Sequence, residues 1–124
     1  MLSRKTGGRR PESASLKRIE WRGSSLADIR AFPQEARQDA GHQLHRIQQG
    51  RDAADWKPMA TVGAGAFEVR VHVGGEHRVF VVCKFEEAIY VLHAFRKKSQ
   101  QTPDRDIRLA RERYRDLVAE RRAP

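Results

Sequence analysis

The sequence predicts an α+β fold: a small antiparallel sheet with helices packed on one of its faces, in the order β-α-α-β-β-β-α. Three observations predict it. From Ala66 to Lys98 the chain carries three successive strand-like stretches, AFEVRVHVGGEHRVFVVCKFEEAIYVLHAFRKK. Ahead of them, apolar residues recur at helical spacing from Leu26 to Ile47, and behind them a second helical stripe runs from Ile107 to Val118. Strands joined by short turns pair with their sequence neighbours, antiparallel. A helix with one apolar stripe buries it against such a sheet.

Each element has its own local signature. Leu16–Trp21 (LKRIEW) reads as a short edge strand, with Leu16 or Ile19 and Trp21 turned inward. Ser24-Ser25 followed by Asp28 resembles a helix N-cap with an acidic position behind it. A short helix then carries Leu26, Ile29 and Phe32 as far as Pro33. Proline lacks an N–H, so it ends this helix and suits the first turn of the next. In that helix Ala36, Ala40, Leu44 and Ile47 share one face, His42 and His45 lie on the solvated side, and Gly50 is a C-cap. Residues 51–65 form a connector holding Lys57 and an inward-facing Trp56.

In the first central strand Phe67, Val69, Val71 and Val73 alternate with Glu68, Arg70 and His72. Side chains alternate faces along a strand, so one face is apolar and the other charged. Gly74-Gly75 supplies the positive φ of a tight turn. A second strand is expected over His77–Phe85 with Cys83 in the core, and a third over Ala88–Phe95, with Glu86-Glu87 between them. Thr102-Pro103-Asp104 reads as a helix start: a capping hydroxyl, a proline and a first-turn acid. Beyond it Ile107, Ala110, Tyr114, Leu117 and Val118 form an apolar stripe, and Arg108, Arg111, Arg115 and Arg122 a basic one. Residues 1–15 (MLSRKTGGRRPESAS) are expected to be a disordered basic tail, leaving a single domain over residues 16–124.

Composition narrows the function. The chain has 124 residues, a formal net charge of +9 and 39% apolar residues, enough for one modest core. Such a charge points to nucleic acid first, then to acidic proteins or anionic surfaces. No apolar run approaches the ~20 residues of a membrane span, and the basic N-terminus lacks the apolar segment of a secretory signal. With one cysteine there is no intramolecular disulfide. No Cys/His cluster has metal-ligand spacing and no known phosphate loop is present, so neither metal nor cofactor is expected. These features suit a cytoplasmic protein.

The cations are placed to matter. Arg70 lies on the polar face of the first central strand, and Arg78 on the second shares a face with Phe80, Val82 and Lys84. Arg96, Lys97 and Lys98 follow the third. In an antiparallel sheet these groups can converge on one hollow. For an RNA substrate, a 2′-hydroxyl attacking the neighbouring phosphate needs a base, cationic support and an acid. Arginine suits the middle task because it is always charged and offers paired donors. His93 and His72 are candidates for proton transfer, because histidine is the side chain suited to acid–base work near neutral pH, with Glu68 a further possible base or, on an ordinary hydrophilic sheet face, an ion-pair partner of Arg70 or Arg78. The expected catalytic set is therefore Arg70, Arg78, Lys97 and His93. Lys57, His72, Arg96 and Lys98 are expected to contact RNA.

The run AFEVRVHVGGEHRVFVVCKFEEAIYVLHAFRKKSQQTP, with RERYRDLVAERR downstream, resembles phage-derived HigB-like toxins of the RelE/ParE superfamily. WRGSSLADIRAFPQEARQDAGHQLHRIQQG looks like that family's N-terminal strand and helical hairpin, so the resemblance covers roughly Leu16 to Arg122. It implies a RelE/ParE-like fold and a toxin of a type II toxin–antitoxin system. Such toxins are ribosome-dependent, metal-independent mRNA endonucleases, silenced in a hetero-oligomer by a cognate helix-turn-helix antitoxin. In the resemblance Arg70 matches a basic residue on the first central strand. Arg78 matches the arginine of a Tyr-Arg-Leu-Val-Tyr-like strand, Lys97 the basic residue after the last strand, and Lys57 a Lys-Leu-rich connector. Glu68 stands where RelE-type enzymes carry a lysine, and Thr102-Pro103 occupies the region of their tyrosine. ParE-like branches of the superfamily instead inhibit DNA gyrase without a nuclease site, and the charge alone would also fit a plain nucleic-acid-binding module.

Overall fold

A computed structural model describes residues 16–124; the tail expected over residues 1–15 lies outside the described residues. The elements in chain order are β1 (Arg18–Trp21), α1 (Ser25–Arg30), α2 (Gln34–Gln48), β2 (Trp56–Pro58), β3 (Ala66–Val71), β4 (His77–Val82), β5 (Ala88–Arg96) and α3 (Asp104–Arg122). The strands form one sheet in the order β1-β5-β4-β3-β2. The α+β class stands, with two corrections to its architecture.

The first concerns direction. β2 to β5 is an antiparallel meander, but β1 runs parallel to β5, with Arg18 opposite Ala88 and Trp21 opposite Val91. The reason is topological. The α1–α2 pair carries the chain across the sheet to its far edge, where β2 starts in the direction opposite to β1. Three reversals later β5 arrives beside β1 running the same way. The sheet is therefore mixed. The extra strand β2 sits in the expected connector; it is three residues long and contains a proline, which confines it to an edge. There Trp56 is 41% exposed rather than buried, touching Phe67 edge-on.

The second concerns the faces. Ile29, Phe32, Ala36, Ala40, Leu44 and Ile47 of the first two helices pack on Val69, Val71, Val79, Val81, Ile89 and Val91. Ala110, Tyr114 and Leu117 of α3 pack on the opposite face, against Phe80, Val82, Ala88, Tyr90 and Leu92. Helices cover both faces, not one. Every residue of β4 is buried, and so are the first seven of β5, so these strands have no solvent face to leave open. β4 ends at Val82 rather than Phe85, Cys83 is half-buried with its thiol pushed up by burial, and Val73 is exposed in the turn.

Several side chains fix α3 on its face. The Tyr114 hydroxyl donates to the Ala64 carbonyl at 2.6 Å, and a side chain on Gly63 would collide with the Tyr114 ring. Arg121 donates to Glu87, holding that carboxyl down at about 2. β5 carries a bulge: Phe80 pairs with His93 and Val81 with Val91, so Leu92 is the extra residue. Arg113 donates to the Leu92 carbonyl at 2.9 Å. α3 begins one residue later than its capping signal implies. Pro103 is the N-cap, without a side-chain bond, and the Thr102 hydroxyl points elsewhere.

One buried polar group stands out beneath α1. His77 is 1% exposed, its ring packs against Phe32 with centroids 4.4 Å apart, and neither ring nitrogen has a hydrogen-bond partner among the described residues. Burial lowers its pKa below the ordinary 6.5.

Two predictions follow from this packing. Because each sheet face is a core, Leu44→Ala and Leu117→Ala should each cost about 2–5 kcal/mol in chemical denaturation; a negligible cost for Leu117→Ala would mean that α3 is not a core helix. For His77, the unfolded chain binds a proton near 6.5 while the folded chain resists it, so stability should fall as pH drops below that value. Denaturation midpoints between pH 7 and 5 should slope less in His77→Leu than in the natural sequence.

Candidate functional site

α3 covers the apolar half of its sheet face and stops short of the polar half. Glu68 and Arg70 of β3 and Arg78 of β4 share that face with Phe80 and Val82, as alternation requires. α3 starts only at Asp104, and the segment before it loops past the strand ends. A cavity of about 330 Å³ remains. Glu68, Arg70 and Arg78 form its floor, Lys97 and Gln100–Thr102 one wall, Ile107 and Met59 the apolar side, and Lys57 of edge strand β2 its rim.

The floor is an electrostatic problem with a built-in solution. Arg70 and Arg78 are direct cross-strand partners, and like charges so placed repel. Glu68, only 1% exposed, lies between them: its Oε1 accepts from Arg70 Nε at 3.2 Å and sits 3.8 Å from Arg78 Nε. Its second oxygen faces the Thr102 hydroxyl at 3.4 Å. Outer carboxylates complete the support. Asp55 is 3.9 Å from Arg70 Nη1, and Arg78 Nη1 donates to Glu76 at 3.0 Å and to the His77 carbonyl at 2.9 Å. The Lys97 ammonium donates to the carbonyls of Ser99 and Gln100 at 2.8 and 2.6 Å, curling the wall segment around itself.

Four expected site residues thus share one cavity: Arg70, Arg78, Lys97 and Lys57. Four lie outside its lining. His93 is buried beneath α3, its Nε2 2.7 Å from Asp106 and its ring stacked on Phe95, so it ties β5 to the start of that helix. The bulge at Leu92 brings this about, since it changes which residues of β5 face α3. Arg96 packs beside Gly75 at the β3–β4 turn. Lys98 points to solvent. His72 is exposed and bonded to Asp55 and Glu76 beyond the cavity wall. Glu68, expected either as a base or as an ion-pair partner of Arg70 or Arg78, contacts both arginines, a pairing that the Glu-x-Arg spacing on one face already allowed. Thr102 was read as a cap because its hydroxyl stands just ahead of Pro103.

The cavity lining carries four cations, Lys57, Arg70, Arg78 and Lys97, against one carboxylate, Glu68. Arg78 is 8% exposed, and its Nε, 3.8 Å from Glu68 Oε1, has no hydrogen-bond partner among the described residues. Guanidinium pairs suit phosphate. No group of three or more His, Cys, Asp and Glu among the described residues is arranged to hold a metal ion. A second hollow of about 380 Å³, beside Ile47, Trp56 and Phe67, is largely apolar and contains none of the expected site residues. No described helix is long and apolar enough to cross a membrane.

The counter-ion role is testable. Glu68→Gln leaves the opposed arginines unneutralised and should lower stability by about 2–3 kcal/mol in low salt, with part recovered on adding sulfate. Denaturation curves equal to those of the natural sequence would show that Glu68 does not hold the pair together.

No curated protein matches the chain. Residues 27–115 match the family model described as Phage derived protein Gp49-like (DUF891). The match spans more than half of the chain, from within α1 to within α3, and takes in every residue of the cavity. On that match, the chain belongs to the phage-derived Gp49-like family.

Proposed function

We propose that the chain is the toxin of a type II toxin–antitoxin system and that it cleaves mRNA on the ribosome as a metal-independent endoribonuclease. The observation that carries this reading is the meeting of Arg70, Arg78, Lys97 and Lys57 in one cavity of about 330 Å³. Family membership supports the module, because Gp49-like proteins are associated with toxin–antitoxin systems. The resemblance to HigB-like and RelE-like toxins supports the reaction. Its implied partners are mRNA, the ribosome and a cognate helix-turn-helix antitoxin, all within the cytoplasm.

In this reading the scissile phosphate sits on the floor, its non-bridging oxygens toward Arg78 and Arg70. The substrate's 2′-oxygen attacks phosphorus, the bond to the 5′-oxygen breaks, and a cyclic phosphate and a 5′-hydroxyl remain. The extra negative charge of the phosphorane falls between fixed cations. Each contributes about 4 kcal/mol at ~4 Å for an effective dielectric near 20, and charges already in place need no reorganisation. Glu68 is engaged with both arginines, and His93 lies elsewhere. The groups left to exchange protons with the attacking and leaving oxygens are Lys97 in the wall and Lys57 at the rim. Gln100, Gln101 and Thr102 offer hydrogen bonds to the flanking nucleotides.

Arg78→Ala should lower cleavage by at least about a hundredfold, the usual cost of one preorganised donor. In cells it should abolish both growth arrest and the new mRNA 5′ ends that induction of the natural sequence produces. Arg78→Lys, checked for folding by thermal denaturation, keeps a charge without the paired donors and should recover only part of the activity. Growth arrest with messages intact would overturn the nuclease reading, and a supercoiling assay would then test gyrase as the target.

A further inference from the structure

Six side chains beside the cavity close into a ring of ion pairs. Glu68 meets Arg70 at 3.2 Å and Arg78 at 3.8 Å. Arg70 meets Asp55 at 3.9 Å, and Arg78 meets Glu76 at 3.0 Å. Asp55 and Glu76 meet at His72, with Asp55 2.7 Å from Nε2 and Glu76 2.9 Å from Nδ1. In order around the ring stand Glu68, Arg70, Asp55, His72, Glu76 and Arg78. Only Glu68, Arg70 and Arg78 line the cavity; His72 closes the ring from outside.

The geometry assigns a protonation state. Carboxylates accept hydrogen bonds and do not donate them. A ring nitrogen bonded to a carboxylate must therefore carry a proton, and His72 has a carboxylate on each nitrogen. It is an imidazolium, and the ring balances three carboxylates with three cations. We propose that His72 is a positioning residue for the phosphate site: its imidazolium shares Asp55 with Arg70 and Glu76 with Arg78, so that the charge of neither carboxylate falls wholly on a guanidinium that an incoming phosphate would use. Without that proton the ring carries one uncompensated carboxylate. The charge of Asp55 and Glu76 then falls wholly on Arg70 and Arg78, which they already contact, and competes with the ligand. The inference rests on reading the cavity as a phosphate site.

The charged groups around His72, which follows the end of β3, are Asp55 from the segment ahead of β2, Glu76 from the β3–β4 turn, Arg70 on β3 and, through Glu76, Arg78 on β4. Asp55 first and Glu76 second raise its pKa above the ordinary 6.5. The bond to His72 in turn lowers the Glu76 carboxyl, with Arg78 adding to the effect. The ring is 52% exposed, so it exchanges protons with bulk water. Anion affinity should then be full at mildly acidic pH and decline as pH rises through the raised value.

The test is the affinity of a fluorescent 2′-O-methyl RNA oligonucleotide, which cannot be cleaved by 2′-hydroxyl attack. It is measured by anisotropy from pH 5.5 to 9 at constant ionic strength. For the natural sequence, affinity should fall by roughly fivefold to tenfold across the titration, the linkage expected for a shift of about one pKa unit on binding. His72→Gln, which bonds without charge, should bind weakly with no such step. His72→Arg should bind tightly with no step, restoring the cation by other means. A flat profile for the natural sequence, or a step that survives in His72→Gln, overturns the inference. Absence of binding by the natural sequence, or unchanged binding by Arg78→Ala, overturns the phosphate-site reading and the inference with it.

Discussion

The polar half of the α3 face of the sheet depends on one buried carboxylate, Glu68. Pairing β3 with β4 sets two guanidiniums directly across from each other, which is useful to an anionic ligand and costly to the fold. Glu68 resolves the conflict from within the sheet, two residues along the same strand and on the same face. It keeps the arginines extended and close before any ligand arrives, and a site prepared in this way spends little binding energy on ordering itself. Its burial has a second effect: with both arginines on it, the carboxylate is part of the frame rather than a free proton acceptor.

The position of α3 determines where that frame is open. Had the helix begun a turn earlier, its first residues would lie over the arginines. Instead Pro103 delays the start, and the preceding segment folds back around the Lys97 ammonium to form a wall. The same helix buries Phe80 and Leu92 farther along the sheet. One element thus seals the apolar part of a face and leaves the polar part accessible, and the division falls where the side chains of β4 change from Arg78 to Phe80.

Much of this was legible in the sequence, because much of it is local. The alternation from Phe67 to Val71, the helical spacing from Ala36 to Ile47, and the sidedness of Arg70 and Arg78 follow from backbone geometry alone. Their convergence was readable too, since the Gly74-Gly75 turn makes antiparallel partners of β3 and β4. What escaped depends on contacts distant in sequence. The expectation of helices on one face failed because nothing local says which helix covers which face, although the apolar runs of β4 and β5 fit burial on both. The bulge that places Leu92 and His93 leaves no mark in the residue pattern. Trp56 suggests a core residue by composition, and only the edge position of β2 leaves it exposed. The ion pairs of Glu68 and His72 join groups whose spacing was visible but whose rotamers were not.

The parallel pairing of β1 with β5 has a consequence for the timing of maturation. β1 is made early and has no strand partner until Ala88–Val91 exist, and contacts so far apart in sequence form late. The cavity is more demanding still, since its lining extends to Thr102 and Ile107. A nascent chain therefore lacks the complete cavity until most of it has been made. The cavity is complete only once the last helix has docked, because Ile107 of that helix forms part of its lining.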